Sequence, residues 1–502
     1  MSFDCMLKYT EAQLELLSDY DQLLMMEAGV RGGLTQASMR YAQANNSKVP
    51  DYDPSKLNSW IAYLDATTLY GWAMSQFLPK DGFSWYEGDL SVKNILKLLE
   101  NSNDTSEIGY SLEVDLAYPK SLHDAHNDLP YLPERIIPPG SKIKKLVANL
   151  NPKKHYVVHY MSLKQALKAG LILEKVHRVF KFNQSAWLSK YIELNTNMRK
   201  NARNDFEREF FKLMNNAVFG KTMENVRNRL KMQLVSDDKT CAKLINRNTF
   251  RDITIYSQNL TAIHLDMDEL KFDKPIYVGF SILDISKTLI YDFHYNYMIR
   301  IYGSNIELMY TDTDSLIYYI KTADFYADLL NKPNLLKRMD TSNLPIDHPL
   351  CEFIALKAKS YSFKIVGEND IIKAKGIRQP VVKYHMTFED HKKCLFWSGT
   401  PDDEDKARKL AVMQSKQFKL TGITATSNQY TPFRVNTSLR SYKHEIKTIS
   451  SVKLALNRSD DKRVVLENQI NTLAHGHFRI EEAKELDRLE AELVEMMEDS
   501  GY

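Results

Sequence analysis

Two runs of strand-forming residues bracket the polar knot Thr-Asp-Thr-Asp-Ser in "IELMYTDTDSLIYYI", residues 306–320. The runs are long enough for two strands and the knot is short enough for a turn. The segment therefore predicts a hairpin with Asp312 and Asp314 at or near its tip. Residues two apart on a strand face the same side. Carboxylates held together repel, so the arrangement costs stability unless a proton or a cation compensates. A hard divalent cation with oxygen ligands is the usual compensator. A solvated turn, whose aspartates merely favour turn geometry, is the plain alternative. A bare Asp-x-Asp does not choose between the two.

At 502 residues the chain exceeds what one simple core organises, and roughly two to four subdomains are expected. A net charge of +3 does not by itself demand a polyanionic partner, although locally clustered bases still bind one. The four cysteines, Cys5, Cys241, Cys351 and Cys394, lack metal-ligand spacing. They read as free thiols in a reducing compartment, against a cysteine zinc site or a disulfide framework. The opening "MSFDCMLKYTEAQLELL" carries Asp4 and Glu11 and lacks the basic start and apolar core of a signal peptide. No uninterrupted apolar run approaches the ~20 residues that span a bilayer, so an intracellular, soluble protein is expected.

Along the chain, "TEAQLELLSDYDQLLMMEAG" has helical periodicity, with a capping-box-like Thr10…Gln13, and ends at Gly29. "VRGGLTQ" follows, where Gly32 and Gly33 permit a turn or a close approach. "SWIAYLDATTLYGWAMSQFLP" predicts a strand over 59–64, a turn at Asp65–Thr68 and a helix. Residues 86–180 turn rich in Pro, His and charge, as an insertion would. Residues 185–230 are helical and basic, and 232–275 mix short strand-like runs with polar breaks. "YVGFSILDISKTLIYDFHYNYMIRIYG" predicts a long amphipathic helix. The terminal "RIEEAKELDRLEAELVEMMED" places Ile480, Ala483, Leu486, Leu489 and Leu493 on one stripe, as a packing helix would.

Two further clusters match the hairpin in chemistry. In "YLDATTLYG", Asp65 ends an apolar strand, and Thr67, Thr68 and the amides after them lie at a strand-to-helix turn. Such turns offer N–H groups to phosphate oxygens; an ordinary helix cap is the alternative for Asp65. In "RKNARNDFEREFFKLMNNAVFGKTMENVRNR", Arg208, Lys212, Asn216 and Phe219 fall within roughly an 80° helical sector. Two cations, an amide and an aromatic on one face suit a phosphate, a base edge and a base plane. A solvated basic helix with Phe219 in the core has the same pattern.

"DATTLYG", "KLMNNAVFG" and "YTDTDS", in that order, resemble motifs A, B and C of family B DNA polymerases, which read roughly D-x-x-S-L-Y-P, K-x-x-x-N-S-x-Y-G and Y-G-D-T-D-S. "VRGGLTQ" resembles the glycine motif of the protein-primed branch, and "LKAKSYS" (356–362) its K-x-Y motif. The similarity extends to polymerases of Polinton/Maverick-type DNA transposons and related viruses. The insertions fall where that branch carries its two terminal-protein regions.

The resemblance implies template-directed DNA synthesis on a primer 3′-hydroxyl by a two-metal mechanism, with catalytic Asp65, Asp312 and Asp314. Two Mg²⁺ ions, replaceable by Mn²⁺, would be held by Asp65, Ala66 and Asp314, with Asp312 the remaining acid. It implies that Lys212, Lys200 and Arg208 meet the triphosphate, that Thr68 and Leu69 cradle it, and that Tyr70 excludes the ribose 2′-hydroxyl. Asn216, Phe219 and Gly220 would line the nascent base pair. Lys359 and Tyr361 would hold the primer end, and Arg31, Gly32 and Gly33 would meet the template. Lys373, Lys375 and Arg378 are candidates for backbone phosphates, whose binding weakens with salt. The implied partners are primer–template DNA, dNTPs and a terminal priming protein, with no membrane.

The chain departs from the family pattern at several points. Ala217 and Phe219 stand where Ser and Tyr are usual, so two hydroxyls are lost, while Thr68 and Thr311 replace Ser and Gly. The junction between "DHPL" and "CEFIALKAKSYS" is shorter than in relatives. Only 64 residues precede Asp65, too few for a 3′–5′ exonuclease domain, and a polymerase-only chain without proofreading is expected.

The expected fold is α+β, a right-hand polymerase with an antiparallel palm sheet and two insertions. The expected divisions are an N-terminal helix and linker (1–49), palm (50–85 and 271–385), insertions (86–180 and 226–270), fingers (181–225) and a thumb with C-terminal helices (386–502). One rival is a catalytically impaired DNA-binding remnant, which keeps the same acids. A glycosyltransferase using Asp-x-Asp on a metal–nucleotide-sugar is the alternative from another class. It gives no role to Asp65 or to the Lys212–Asn216–Phe219 face.

Overall fold

Alternating Ile, Leu, Met and Tyr side chains let Ile306–Asp312 and Ser315–Lys321 bury both faces, and the two strands pair antiparallel around a tight turn. In the computed structural model, which describes residues 1–339, 348–377, 379–396, 433–442, 445–454 and 456–499, this hairpin is the centre of an eight-stranded sheet. The order is Thr35–Ala37, Ile306–Asp312, Ser315–Lys321, Ser59–Asp65, Leu350–Lys357, Ser360–Ile365 and Ile371–Ala374. Tyr41–Gln43 pairs separately with Leu350–Lys357. Every pairing is antiparallel, as expected of a palm.

On one face Trp60, Ala62, Leu308, Leu316 and Tyr318 join the largest core. On the other, Ile61, Met309, Ile317 and Phe353 build a second. Each fully buried side chain of this size stabilises the fold by about 1.5–3 kcal/mol, which makes the hairpin a rigid platform. The helix Ile276–Tyr291, continued by the π-helical segment Asp292–Ile299, lies against the largest core and a third one, where its Tyr277, Phe280 and Ile285 pack with Met25, Met74 and Phe180. It is buried nearly all round, where the sequence predicted one polar face.

The stretch expected as the first insertion, with strands on either side of it, forms a four-stranded sheet ordered Leu78–Trp85, Ile172–Ser185, Ile108–Ala117 and Lys153–His159. The stretch expected as the second insertion forms a three-stranded sheet of Leu230–Val235, Leu260–Asp266 and Phe250–Ser257 with the helix Asp238–Ile245. Between them stand the helices Ser189–Lys200 and Asp205–Thr222.

Two expectations at the termini are corrected. Thr10 does not open a helix. It ends Ser2–Thr10, its hydroxyl donating back to the Met6 carbonyl at 2.9 Å. The next helix, Tyr20–Gly29, starts at Asp19, whose carboxylate accepts from the Asp21 amide. A local side-chain bond to the preceding turn and a left-handed Glu11 (φ 54°) stop the first helix. In the terminal helix Phe478–Asp499, Leu486 and Leu489 are exposed instead of packed.

Candidate active site

The register of three neighbouring strands gathers the acids. Asp65 lies opposite Ser315, Ser315 opposite Asp312, and Asp312 opposite Thr35. The hairpin turn is held from outside as well. The Thr313 amide donates to the Leu34 carbonyl at 2.7 Å, and the Ala66 amide to the Asp314 carbonyl at 2.7 Å. Thr68 and Thr313 sit in the left-handed region, at φ 54° and 64°. For a β-branched residue that conformation costs about 1–2 kcal/mol, so strain concentrates at the two turns that present Asp65 and Asp314.

The three carboxylates differ in their surroundings. Asp312 accepts from the Lys359 ammonium at 2.5 and 2.7 Å and from the Thr35 hydroxyl at 2.7 Å. Its charge is compensated from within the protein. Among the described residues, no side-chain hydrogen bond or ion pair is made to the carboxylate of Asp65 or Asp314; the Asp314 carboxylate is met by its own backbone amide. Burial lifts the Asp65 carboxyl above its ordinary range, opposed by the charge of Lys212. Burial also lifts Asp314, helped by the charges of Asp65 and Asp312 and opposed by Lys359. Two half-buried carboxylates that feel each other and lack a counter-charge fit hard oxygen-coordinated cations such as Mg²⁺.

Tyr70 lies within electrostatic reach of Asp314 and Asp312. Its ring stacks on Phe219 from the facing helix, with centroids 4.7 Å apart and planes 21° apart. Burial, then the charges of Asp314 and Asp312, pushes its phenol up to about 12, so the hydroxyl stays protonated at neutral pH. The helix Asp205–Thr222, capped by Asn204 accepting from the Glu207 amide, carries Lys212 within electrostatic reach of Asp65. Arg208, Lys212, Asn216 and Gly220 are exposed, with Arg208 and Lys212 in surface pairs to Asp205 and Glu209. Lys200 is exposed at the end of the preceding helix. Leu69 is buried, so only its backbone faces the turn.

Several candidates occupy places other than those expected. Arg31 is buried. Its guanidinium donates to the carbonyls of Gly29 and Val157 at 3.2 and 2.7 Å and lies 3.7 Å over the Tyr156 ring. It anchors the backbone and is not presented to a template strand. Lys359, expected at a primer end, turns its ammonium onto Asp312 from a left-handed turn (φ 65°), and its amide donates to the Tyr310 hydroxyl at 2.8 Å. Tyr361 is buried against Tyr310 and Phe363. Lys373 and Lys375 are exposed on and beside the edge strand Ile371–Ala374. Arg378 lies outside the described residues.

The two glycines of the 30s separate cleanly. A Cβ on Gly33 would fall 2.1–2.7 Å from the Thr313 side chain, whereas one on Gly32 meets nothing within 4 Å. Gly33 is thus required by close packing on the turn that presents Asp314. We expect Gly33→Ala to cost about 1–3 kcal/mol and Gly32→Ala to leave stability unchanged, as read by thermal unfolding of both variants.

Sequence reasoning missed Thr35 and Tyr310, which orient Asp312 and Lys359. Both lie inside quoted motifs, but only the strand register reveals what they touch. Lys359→Met tests the Asp312 pair. Being partly exposed, the pair contributes at most ~1 kcal/mol of stability, so a well-folded variant with turnover reduced about tenfold or more, restored in part by Lys359→Arg, is the outcome expected of a positioning role.

Residues 51–297 match the family model described as DNA polymerase type B, organellar and viral. No curated protein shows significant sequence similarity to the chain. Among solved structures, the chain is similar to Phi29 DNA polymerase complexed with primer–template DNA and incoming nucleotide, with 14% identity and a TM-score of 0.51. That match covers 91% of this chain and 67% of the other. The same polymerase bound to primer–template DNA after translocation gives 13% identity and a TM-score of 0.50, covering 90% of this chain and 66% of that one. The chain thus spans about two thirds of the length of the polymerase it matches, with the same right-hand fold.

Proposed function

We propose that this chain, a type B DNA polymerase of the organellar and viral family, extends a DNA primer with deoxynucleotides copied from a template. The observation that carries the reading is the Asp65–Asp314 pair, two partly buried carboxylates with raised pKa and no side-chain partner, together with Tyr70, which stacks on Phe219 and feels the charge of Asp314.

Asp65 and Asp314 would hold two Mg²⁺, which when bound activate a primer 3′-hydroxyl and stabilise the leaving pyrophosphate. The protein's own groups supply the positioning. Lys359 and Thr35 keep Asp312 fixed and neutralised beside the pair. Lys212, on the helix facing Asp65, provides a cation for the triphosphate, and the turn amides from Thr68 onward offer donors to its oxygens. Tyr70, braced by Phe219, fills the space in which a ribose 2′-hydroxyl would sit. With Arg31 occupied by carbonyls, template contact in that segment falls to the backbone at Gly32. A priming protein that offers a hydroxyl in place of the primer is the further expectation of the resemblance.

The test is extension of a labelled primer–template by the purified protein with dNTPs and Mg²⁺ or Mn²⁺. Metal-dependent, template-directed extension supports the reading. Duplex binding by folded protein with no extension under either metal leaves an impaired DNA-binding remnant in its place.

A further inference from the structure

We propose that Asp115, His155 and His177 form a transition-metal site, suited to zinc, on the sheet of the first insertion and separate from the palm acids. One ligand atom from each lies within 4.8 Å of the other two, the only such group of three among the described residues.

The backbone is shaped to bring these side chains together. Glu113 and Asp115, two apart on Ile108–Ala117, share a face of the sheet. The strand Ile172–Ser185 slips register where Glu113 pairs with Arg178 but Val114 with Val176, leaving His177 as the extra residue. The strand Lys153–His159 slips between Val114–Tyr156 and Leu116–Lys153, and there His155 adopts φ 49°. Two bulges on opposite sides of one strand thus aim two imidazoles at one carboxylate. His177 Nε2 lies 2.9 Å from Asp115 Oδ1, and the His155 amide donates to the same oxygen at 2.8 Å.

The surroundings resemble support for a metal ligand. His155 Nδ1 lies 2.7 Å from Glu113 Oε1, which leaves its Nε2 for coordination. Glu113 is in turn gripped by Arg178, at 2.7 Å from Nε and 2.6 Å from Nη2. A carboxylate behind a ligating histidine fixes the tautomer and raises its basicity. Imidazoles select zinc or its neighbours over Mg²⁺, and three protein ligands leave one position for water.

Without metal the two rings stack, centroids 3.9 Å apart. An ion must lie near the plane of each ring, so binding requires His155 to turn, and its side chain is 65% exposed and able to do so. Lys154, 3.5 Å from Asp115 Oδ2, is also exposed and is shared with Glu174 at 2.9 Å, so it can withdraw. An ion on His177 Nε2 would take the place of the hydrogen between that atom and Asp115 Oδ1, the neutral ring carrying its proton on Nδ1.

The test is titration of the chelator-stripped full chain with Co²⁺, in excess Mg²⁺ to occupy the palm carboxylates. Expected is one Co²⁺ per chain with the intense visible absorption of a four- or five-coordinate ion, displaced by Zn²⁺. His177→Ala should weaken it at least ~100-fold, and Glu113→Gln about 10–100-fold through the ligand it supports. If His177→Ala does not fold, His155→Ala, altering a mostly exposed side chain, replaces it. Only the weak absorption of six-coordinate cobalt, or binding unaffected by these substitutions, overturns the site.

Discussion

On the proposed function, Asp314→Asn is expected to abolish primer extension, by about 10³-fold or more, because it removes one of the two charges that would hold the ions. DNA binding should persist or strengthen, since a negative charge leaves the surface proposed to meet the phosphate backbone. The same substitution should stabilise the metal-free protein. Burial and the neighbouring acids raise the Asp314 carboxyl above its ordinary value. A carboxyl raised in the folded state binds its proton more tightly there than in the unfolded chain. Its favourable contribution is therefore present at low pH and is lost as pH rises through the folded-state value. At neutral pH the wild type carries the full repulsion. The variant's advantage in Tm should be largest there, shrink as pH falls into the carboxylate range, and shrink again when Mg²⁺ is added to the wild type. Thermal unfolding across pH, with and without Mg²⁺, reads all three; a variant less stable than wild type in the absence of metal would contradict the uncompensated pair.

The second large effect is expected from Tyr70→Val, which should reduce the preference for deoxynucleotides over ribonucleotides by about 10–200-fold, the range that one steric group commands. The Phe219 ring stacked at 4.7 Å holds the Tyr70 ring in place, so Phe219→Ala should produce part of the same loss while Phe219→Tyr should not. The ratio of kcat/KM for matched dNTP and rNTP is the measurement. An unchanged ratio in Tyr70→Val would remove this ring from sugar selection.

The hairpin, the strand into Asp65 and the helix after Thr68 were legible in sequence because alternation and turn residues are local signals. The paired acids were legible for the same reason. What Asp312 touches was not. Lys359 and Thr35 lie far from it in the chain, and only the pairing of Thr35–Ala37 with Ile306–Asp312 brings one of them near. Arg31 misled because a cation beside two glycines has the same appearance in sequence whether it faces solvent or, as here, lies over Tyr156. Thr10 misled because a hydroxyl that caps the start of one helix is equally able to close the end of another. The Asp115–His155–His177 group was invisible, since its members come from three strands and depend on two bulges.

The turn at Thr313 and Asp314 rests on three supports drawn from far apart in the chain: the Leu34 carbonyl, the Ala66 amide and, through Asp312, the Lys359 ammonium. In mechanical terms this is a three-point mount, which fixes the position of a rigid part without over-constraining it. Displacing any one support tilts the turn instead of merely loosening it. The support nearest the N-terminus is itself held, by Gly33 packed against Thr313 and by the buried Arg31 bonded to the Gly29 and Val157 carbonyls. The position of the two candidate carboxylates is thereby fixed by segments that lie far apart in the chain.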